Sequence, residues 1–118
     1  MEFNGELVEY EDGDYKAAVE FTLYEDKKTA VVHLTLHKST PSVLKTVSGD
    51  FSDLLALCVS LGVERVTAIA PEDNDKILGF QERFGFKPYK VHRHTDKNYI
   101  VSMYEGYNDL CEVITDGA

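Results

Sequence analysis

The clearest candidates for chemistry in this 118-residue sequence are two histidines spaced four residues apart. His33 and His37 lie in the segment Thr29–His37, whose apolar residues alternate as in a strand with one covered face. Both imidazoles would then project from the face opposite the apolar one. Imidazole titrates near neutral pH, so either residue is a candidate general base. The alternative is that both are solvated surface residues.

Two further histidines, His92 and His94, share a face of a later predicted strand. A four-histidine site would require two separate strands to meet, and no carboxylate spacing supports one, so we predict no metal. Cys58 and Cys111 have neither metal-binding nor redox spacing. The sequence also has no P-loop and no Gly-x-Ser-x-Gly motif, so the catalytic sites that these motifs build are not predicted.

Acidic residues are concentrated at the start of the chain, whose formal net charge is −9. Residues 1–26 contain nine acids and one base. Such charge either keeps a small protein in solution or docks on a basic protein partner. For the second alternative, the candidate residues are Glu9, Glu11, Asp12 and Asp14. Direct nucleic-acid binding needs a concentrated positive surface and is not expected.

Three strands open the predicted fold. A possible first strand at Glu6–Tyr10 is followed by Lys16–Tyr24 and Thr29–His37, and the short polar link between these two predicts an antiparallel hairpin. Later in the chain, Tyr89–His94 and Tyr99–Tyr104 are predicted to form a second hairpin. Half-apolar alternation of this kind is typical of a sheet that is covered on one side.

Two helices connect the strands. We expect a long loop at Lys38–Asp50, followed by a helix that Ser48 or Asp50 would cap. An apolar stripe that begins at Phe51 marks this helix, and Gly62 ends it. The predicted element order is β-β-β-α-β-α-β-β, a mixed sheet with right-handed crossovers. Residues 1–104 form one predicted domain, and residues 105–118 form an acidic tail with one turn of helix or a short edge strand.

The second helix lies in the most informative segment, residues 66–89. The apolar run Val66–Ala70 is typical of a buried strand, Asp73 or Asn74 can open the helix, and Gly85-Phe86 ends it. This unit resembles the last strand–helix–strand of the GNAT (N-acetyltransferase) superfamily, where an Asn opens the helix and a Gly-Phe pair ends it. The resemblance implies a GNAT-like α/β (α+β) fold with a mostly antiparallel sheet. It also implies that the family's helical pair after the first strand is missing here.

The resemblance further implies acetyl-CoA as cofactor if the protein is active. In the family, a loop of Gln or Arg, two residues, Gly, one residue, then Gly or Ala holds the pyrophosphate. The aligned stretch Thr46–Phe51 matches only at Gly49. Many members also have a tyrosine that protonates the leaving thiolate, and that position is Gln81, which cannot act as an acid. Candidate cofactor-binding residues in an active protein are Lys45, Ser48, Gly49 and Asn74.

These departures favour a GNAT-like protein without transfer activity or cofactor that works as an acidic binding or inhibitory protein. The alternative is an acyl-CoA-dependent N-acetyltransferase with an atypical cofactor loop and His37 or His33 as base. Short sequences of this kind are similar to bacteriophage-encoded GNAT-like proteins, which implies a bacterial host cytoplasm or a virion. We expect a cytoplasmic setting, since nothing resembles a signal peptide or a membrane span. A monomer or a homodimer is expected.

Overall fold

Six strands and three helices make up the computed structural model, which describes residues 2–116 of the chain. The elements are β1 (Asn4–Glu11), β2 (Tyr15–Tyr24), β3 (Lys27–Leu36), α1 (Pro41–Ser60), β4 (Arg65–Pro71), α2 (Asp75–Arg83), β5 (Phe86–His94), β6 (Lys97–Tyr104) and α3 (Tyr107–Asp116). The strands form one sheet in the order β1-β2-β3-β4-β6-β5. Only β3 and β4 pair in parallel, which confirms the predicted mixed, mostly antiparallel sheet.

All three helices cover the same face of the sheet. Ala30 of β3 and Val66 of β4 are buried in one cluster with Cys58 of α1 and Tyr107 of α3, and Phe84, which follows α2, packs against it. The crossovers β3–α1–β4 and β4–α2–β5 step in the same direction across the sheet. Right-handed crossovers that step in one direction place their helices on one side. Within residues 2–116, the other face of the sheet therefore has no helix over it.

Helix α1 begins at Pro41, so the predicted loop at Lys38–Asp50 was wrong. The Thr40 hydroxyl oxygen accepts a hydrogen bond from the Val43 amide at 3.3 Å, and a proline occupies the first helical turn. Both are signals of a helix start. The predicted caps Ser48 and Asp50 lie inside the helix instead.

Burial explains why the helix extends this far towards the N-terminus. Val43 and Val47, one turn apart, are buried in a cluster with Tyr15, which begins β2. An amphipathic helix gains most of its stability from such packing rather than from intrinsic propensity. The contacts outweigh the presence of Gly49 in the helix interior, which costs about 1 kcal/mol relative to alanine.

The C-terminal segment contains a ten-residue helix, α3, where we expected one turn of helix or an edge strand. Tyr107 is 2% exposed, and its hydroxyl donates to the Val63 carbonyl at 2.8 Å. Leu110 and Cys111 pack against the same core. Helix α3 therefore closes the core beside β4. Residues 117–118 of the predicted tail lie outside the described residues.

The other helix boundaries were predicted correctly. The Asn74 side chain accepts from the Ile77 amide at 3.1 Å and so caps α2. Gly62 and Gly85 follow α1 and α2 with φ values of +79° and +99°. At Gly85 a Cβ atom would also lie 2.9 Å from Cε2 of Tyr104, so both the backbone and the packing require glycine there.

The buried side chain of Arg65 binds the β2–β3 turn through hydrogen bonds and an ion pair. Glu25 and Asp26 in this turn have φ values of 54° and 63°, which non-glycine residues rarely adopt. Arg65 of β4 lies 3.1 Å from the Glu25 carboxylate and donates to Thr29 Oγ1 at 3.2 Å and to the Tyr24 carbonyl. These contacts offset the unfavourable conformation of the turn.

Candidate functional site

The candidate site is a gap between the two parallel strands, which we call the slot. Strands β3 and β4 pair from Thr29–Arg65 to Val32–Ala68. Beyond these pairs, β3 continues to Leu36 and β4 continues to Pro71 without pairing to each other. The carboxyl ends of parallel strands that diverge in this way are a common place for ligands in α/β folds.

A cavity of about 620 Å³ lies in the slot, between the sheet and helices α1 and α2. Its walls are mainly apolar and include Leu34 of β3, Phe51 of α1, and Ile77 and Phe80 of α2. This volume and lining are typical of sites for small molecules. Phe51 of α1 contacts Phe84, which follows α2, with 5.7 Å between the ring centroids.

Gln81 projects from α2 into the slot. Its Nε2 donates to the carbonyl of Ile69, at 3.4 Å, on the strand that no longer pairs with β3. Its Oε1 is buried and has no hydrogen-bond partner within the described residues. If Nε2 and Oε1 were exchanged, the Gln81 oxygen would face the carbonyl oxygen of Ile69, and two acceptors cannot form a hydrogen bond. The contact with Ile69 therefore identifies Oε1 as the atom without a partner.

A tyrosine–carboxylate pair also lines the cavity, and the sequence analysis missed it. The buried hydroxyl of Tyr15 donates to the carboxylate of Asp50 on α1. Burial, and then this hydrogen bond, raise the pKa of Tyr15 above its usual value. A phenol with a raised pKa is a weaker proton donor. No sequence spacing indicates the pair, because the two residues belong to separate elements.

The start of α1 is where a GNAT protein would hold the cofactor pyrophosphate, and its amides fit this role poorly. The Asp14 carbonyl accepts from the amides of His37, at 2.9 Å, and Lys38, at 3.1 Å. The Thr40 hydroxyl uses the amide of Val43, and the proline of the first turn has no N–H. Phosphate groups at helix N-termini are bound through free backbone amides. In the first turn of α1 the Val43 amide is already bonded and Pro41 has no N–H, which leaves few amides for a phosphate.

The predicted cofactor-binding residues do not form a loop. Lys45, Ser48 and Gly49 lie in α1, where backbone amides are bonded along the helix, so they cannot form the predicted pyrophosphate loop. Gly49 faces open space. The side-chain oxygen of Asn74 is engaged as the cap of α2. The structure does not bring these four residues together with the cavity lining.

The predicted catalytic histidines are also separated. Strand β3 ends at Leu36, so His37 lies beyond it, with Nε2 3.3 Å from a carboxylate oxygen of Glu11. His33 is in β3 and borders the cavity, but alternation along the strand directs its side chain to the helix-free face. The two histidines therefore do not share one strand face as expected.

The four acids predicted to bind a partner gather at the end of β1 and in the turn after it. Asp12 accepts from the Tyr10 hydroxyl at 2.7 Å and from the amides of Asp14 and Tyr15. The Tyr10 hydrogen bond, and then the two amides, lower the pKa of Asp12. Asp14 forms an ion pair with Lys38 at 3.4 Å. Glu9, on the exposed strand β1, has no such bond in the described part of the chain.

Residues 2–116 lack two other kinds of feature. No group of three or more His, Cys, Asp or Glu side chains in this range is arranged to hold a metal ion. None of the helices there combines the length and the apolar character needed to cross a membrane.

Comparison with protein-family models finds no matching family, and comparison with curated proteins finds no match. Solved structures are similar in fold. A putative GnaT-family acetyltransferase from Bordetella pertussis superimposes with a TM-score of 0.57 at 16% identity, over 76% of this chain and 56% of that one. Mutant forms of the spermidine/spermine N-acetyltransferase SpeG from Vibrio cholerae give 0.55 at 10% identity, over 84% and 72%.

This chain thus spans little more than half the length of the Bordetella protein. The similarity agrees with the predicted order of strands and helices. At these identities, the similarity concerns the fold. The protein has the fold of the GNAT acetyltransferases.

Proposed function

We propose that this protein binds a basic protein partner through its acidic first strand, as a binding or inhibitory protein that does not transfer acetyl groups. The observation that carries the proposal is the exposure of β1. All eight of its residues are exposed, although the strand contains Leu7, Val8 and Tyr10, which are 50%, 51% and 53% exposed.

Strand β1 lies at the edge of the sheet, so one side of its backbone has no neighbouring strand. Large apolar side chains at an edge usually mark an interaction surface, because they are costly to leave in water. Glu6, Glu9 and Glu11 lie among these side chains along the strand. A partner that suits this surface has basic side chains and apolar groups between them.

The region where the resemblance would place acetyl-CoA also supports a binding protein. The Val43 amide in the first turn of α1 is engaged by Thr40, and the amides of His37 and Lys38 just before the helix are engaged by Asp14. By the resemblance to the GNAT family, Gln81 stands at the position of the family's proton donor. Tyr15, which also lines the cavity, has a raised pKa and donates a hydrogen bond to Asp50. A pyrophosphate at α1 would have to displace bonds that the fold already makes.

The alternative is an acyl-CoA-dependent N-acetyltransferase, and the cavity of about 620 Å³ in the slot favours it. In that case His37 or His33 would be the base and acetyl-CoA the cofactor. A thermal-shift titration separates the two functions. Acetyl-CoA at a hundred times its Kd would stabilise the folded protein by roughly 2.7 kcal/mol. We expect no shift at millimolar acetyl-CoA, and a saturable shift would support the transferase.

Partner binding is tested with a lysine-rich peptide in fluorescence anisotropy at low and high salt. Each exposed ion pair contributes about 0.2–1 kcal/mol, so reversing both Glu9 and Glu11 to lysine is expected to weaken binding about tenfold. The matched control reverses Glu72 and Asp73, which are exposed in the turn before α2. The control changes the net charge by the same amount. Equal weakening in both variants would mean that net charge, and not β1, determines binding.

The setting of the protein is part of the proposal. A cytoplasmic location, in a bacterial host or in a virion if the chain is bacteriophage-encoded, follows from the resemblance described above. A monomer or a homodimer is compatible with an exposed edge strand, because β1 of two copies can pair. Sedimentation of the β1 variant beside the unaltered protein decides between them.

A further inference from the structure

We infer that the basic partner of β1 is the opposite edge of the same sheet, strand β5 of a second copy of this chain. The inference names the partner for the proposed binding surface, so it rests on the proposal that β1 binds a basic protein. The two strands lie at opposite ends of the sheet order β1-β2-β3-β4-β6-β5, and within the described residues each pairs with one neighbour. Copies joined in this way add sheet to sheet and form an open row.

The two edge strands carry opposite charges. Strand β1 contains three glutamates and no basic residue, whereas β5 contains two lysines, one arginine and two histidines and no acidic residue. Both strands are exposed along almost their whole length. Charges of one sign on an edge keep two identical edges from pairing. A β1–β1 or β5–β5 contact would set like charges against each other, so only β1 against β5 brings opposite charges together.

The directions of the strands permit this pairing. From β1 to β5 across the sheet, every neighbouring pair is antiparallel except β3 and β4, so β1 and β5 run in the same direction. A second copy that is shifted sideways, with its helices on the same face, therefore places its β5 parallel to β1 of the first copy. A short parallel ladder of this kind already exists inside the molecule, where β3 and β4 pair.

Alternation along β1 assigns its side chains to the two faces of the sheet. Val8 lies opposite Val19, which belongs to the core beneath the helices. Residues that are directly opposite in a ladder share a face, so Val8 and Tyr10 project from the face that carries the helices. Glu9 and Glu11 then project from the other face. Strand β1 thus presents apolar groups on one face and carboxylates on the other.

The same reasoning assigns the side chains of β5. Phe86 and Tyr104 lie opposite each other and pack in the core. Alternation along β6 brings Ile100 to this face, and Val91 lies opposite it. Val91 and Arg93 therefore project from the face that carries the helices. The basic side chains on the other face are Lys90, His92 and His94.

The side chains of the two edges match when Val8 lies beside Val91. Tyr10 then lies beside Arg93, whose guanidinium can stack on the ring. On the other face, the two glutamates lie beside the two histidines, which can donate to their oxygens. A shift by two residues keeps every side chain on its face and brings a glutamate beside Lys90. Each of these registers therefore sets carboxylates against basic groups on one face and buries apolar groups on the other.

Two irregularities limit the length of the new ladder. Pro88 has no backbone N–H, and the pairing of β5 with β6 is irregular between Pro88 and Lys90. The pairing of β1 with β2 is irregular between Asn4 and Glu6. Regular edges thus remain at Lys90–His94 and Leu7–Glu11. A contact between two segments this short buries less surface than a stable dimer needs, so we expect weak association that depends on concentration and salt.

Sedimentation velocity on the full chain, from micromolar to near-millimolar concentration, tests the inference. The unaltered protein should form dimers, trimers and longer species that grow with concentration and that added salt dissociates. Hydrogen exchange of the backbone amides in Leu7–Glu11 and Lys90–His94 should slow over the same range of concentration. Both measurements use the unaltered protein and so do not depend on the folding of any variant.

Two charge reversals separate the edges. Glu9→Lys with Glu11→Lys alters β1, and His92→Glu with Arg93→Glu alters β5. Each should weaken self-association about tenfold, because attractive contacts at an exposed edge become like-charge contacts. An equimolar mixture should recover association, since the altered β1 of one variant complements the altered β5 of the other. Both variants keep a negative formal net charge, so net charge alone would not bring them together.

The matched control reverses Glu72 and Asp73 to lysine, which changes the net charge as much as the β1 variant does and should leave self-association unchanged. A monomer at every concentration would overturn the inference. Self-association of the β5 variant equal to that of the unaltered protein would overturn the role of β5. A mixture that stays monomeric would overturn the pairing of the two edges.

The lysine-rich peptide assay distinguishes failure of this inference from failure of the proposed function. If the peptide binds β1 while the protein stays monomeric, the partner is a different basic protein, and only the inference is overturned. If the peptide does not bind and the protein stays monomeric, both are overturned.

Discussion

Replacing Gly49 with alanine tests where helix α1 begins, and therefore whether a phosphate-binding loop exists. Gly49 lies inside α1, and a Cβ atom built on it meets nothing within 4 Å. Glycine in an exposed helix interior costs about 0.5–1 kcal/mol relative to alanine, because it loses more backbone freedom on folding. Gly49→Ala should therefore raise the free energy of unfolding by about this amount.

The corresponding change in melting temperature follows from the size of the chain. A protein of 118 residues has an entropy of unfolding of about 250 cal/mol/K near its midpoint. The expected gain then corresponds to a rise of about 2–4 °C, measured by calorimetry or by circular dichroism at 222 nm. Urea unfolding should show a higher midpoint and an unchanged slope.

Gly85→Ala is the matched control, because Gly85 has φ +99° and its Cβ would lie 2.9 Å from Tyr104. We expect it to lower the free energy of unfolding by about 1–3 kcal/mol. A neutral or destabilising result for Gly49→Ala, with fast amide hydrogen exchange over residues 45–50, would show that this stretch is a loop. That result would refute the boundary of α1 and restore the predicted cofactor loop.

Three further outcomes are expected. Arg65→Met should destabilise the protein by about 1–3 kcal/mol in urea unfolding, because buried hydrogen bonds are lost, whereas Lys87→Met, which removes an exposed ion pair, should cost under about 1 kcal/mol. Similar costs for the two variants would contradict the role of Arg65 in holding the β2–β3 turn. Burial raises the pKa of Tyr107, so this residue makes its full contribution to stability below pH ~10 and loses it as the pH rises further. The free energy of unfolding of Tyr107→Phe should therefore fall less steeply with pH in the alkaline range than that of the unaltered protein. Cys58 has no exposed surface and a pKa raised to about 11 by burial, so a thiol reagent should label Cys111 first, and two fast thiols would contradict this.

Much of the fold could be predicted because its signals are local. The apolar run Val66–Ala70, the Asn74 cap and the Gly85 stop each depend on a few adjacent residues, and the structure confirms all three. Alternation likewise located β2 and β3 to within a few residues. The resemblance to the GNAT fold rested on these same local signals.

The start of α1 could not be predicted because its signal is ambiguous. Ser39-Thr40-Pro41-Ser42 has the composition of a turn, but Thr40 followed by Pro41 is also a helix start. What decides between the two is the burial of Val43 and Val47 against Tyr15, which is a tertiary contact. As a result, the residues that were expected to form the cofactor loop lie inside helix α1.

The candidate site was predictable in part. The resemblance drew attention to Gln81, but the sequence did not predict its hydrogen bond to the Ile69 carbonyl or its buried oxygen without a partner in the described residues. The pair formed by Tyr15 and Asp50 joins residues 35 positions apart, and no motif connects them. Such contacts depend on how the helices pack over the sheet, which local patterns do not specify.

The short parallel contact between β3 and β4 also has a mechanical consequence. Four residue pairs, Thr29–Arg65 to Val32–Ala68, join two three-stranded antiparallel halves, and within the first half β2 and β3 pair over ten residues. A rotation of one half against the other would bend this short seam while leaving the ladders within each half intact. Stiff bodies that meet at a short seam move as a hinge. The two halves of the sheet are therefore expected to move about these four residue pairs, and such a movement would change the separation of the diverging ends of β3 and β4.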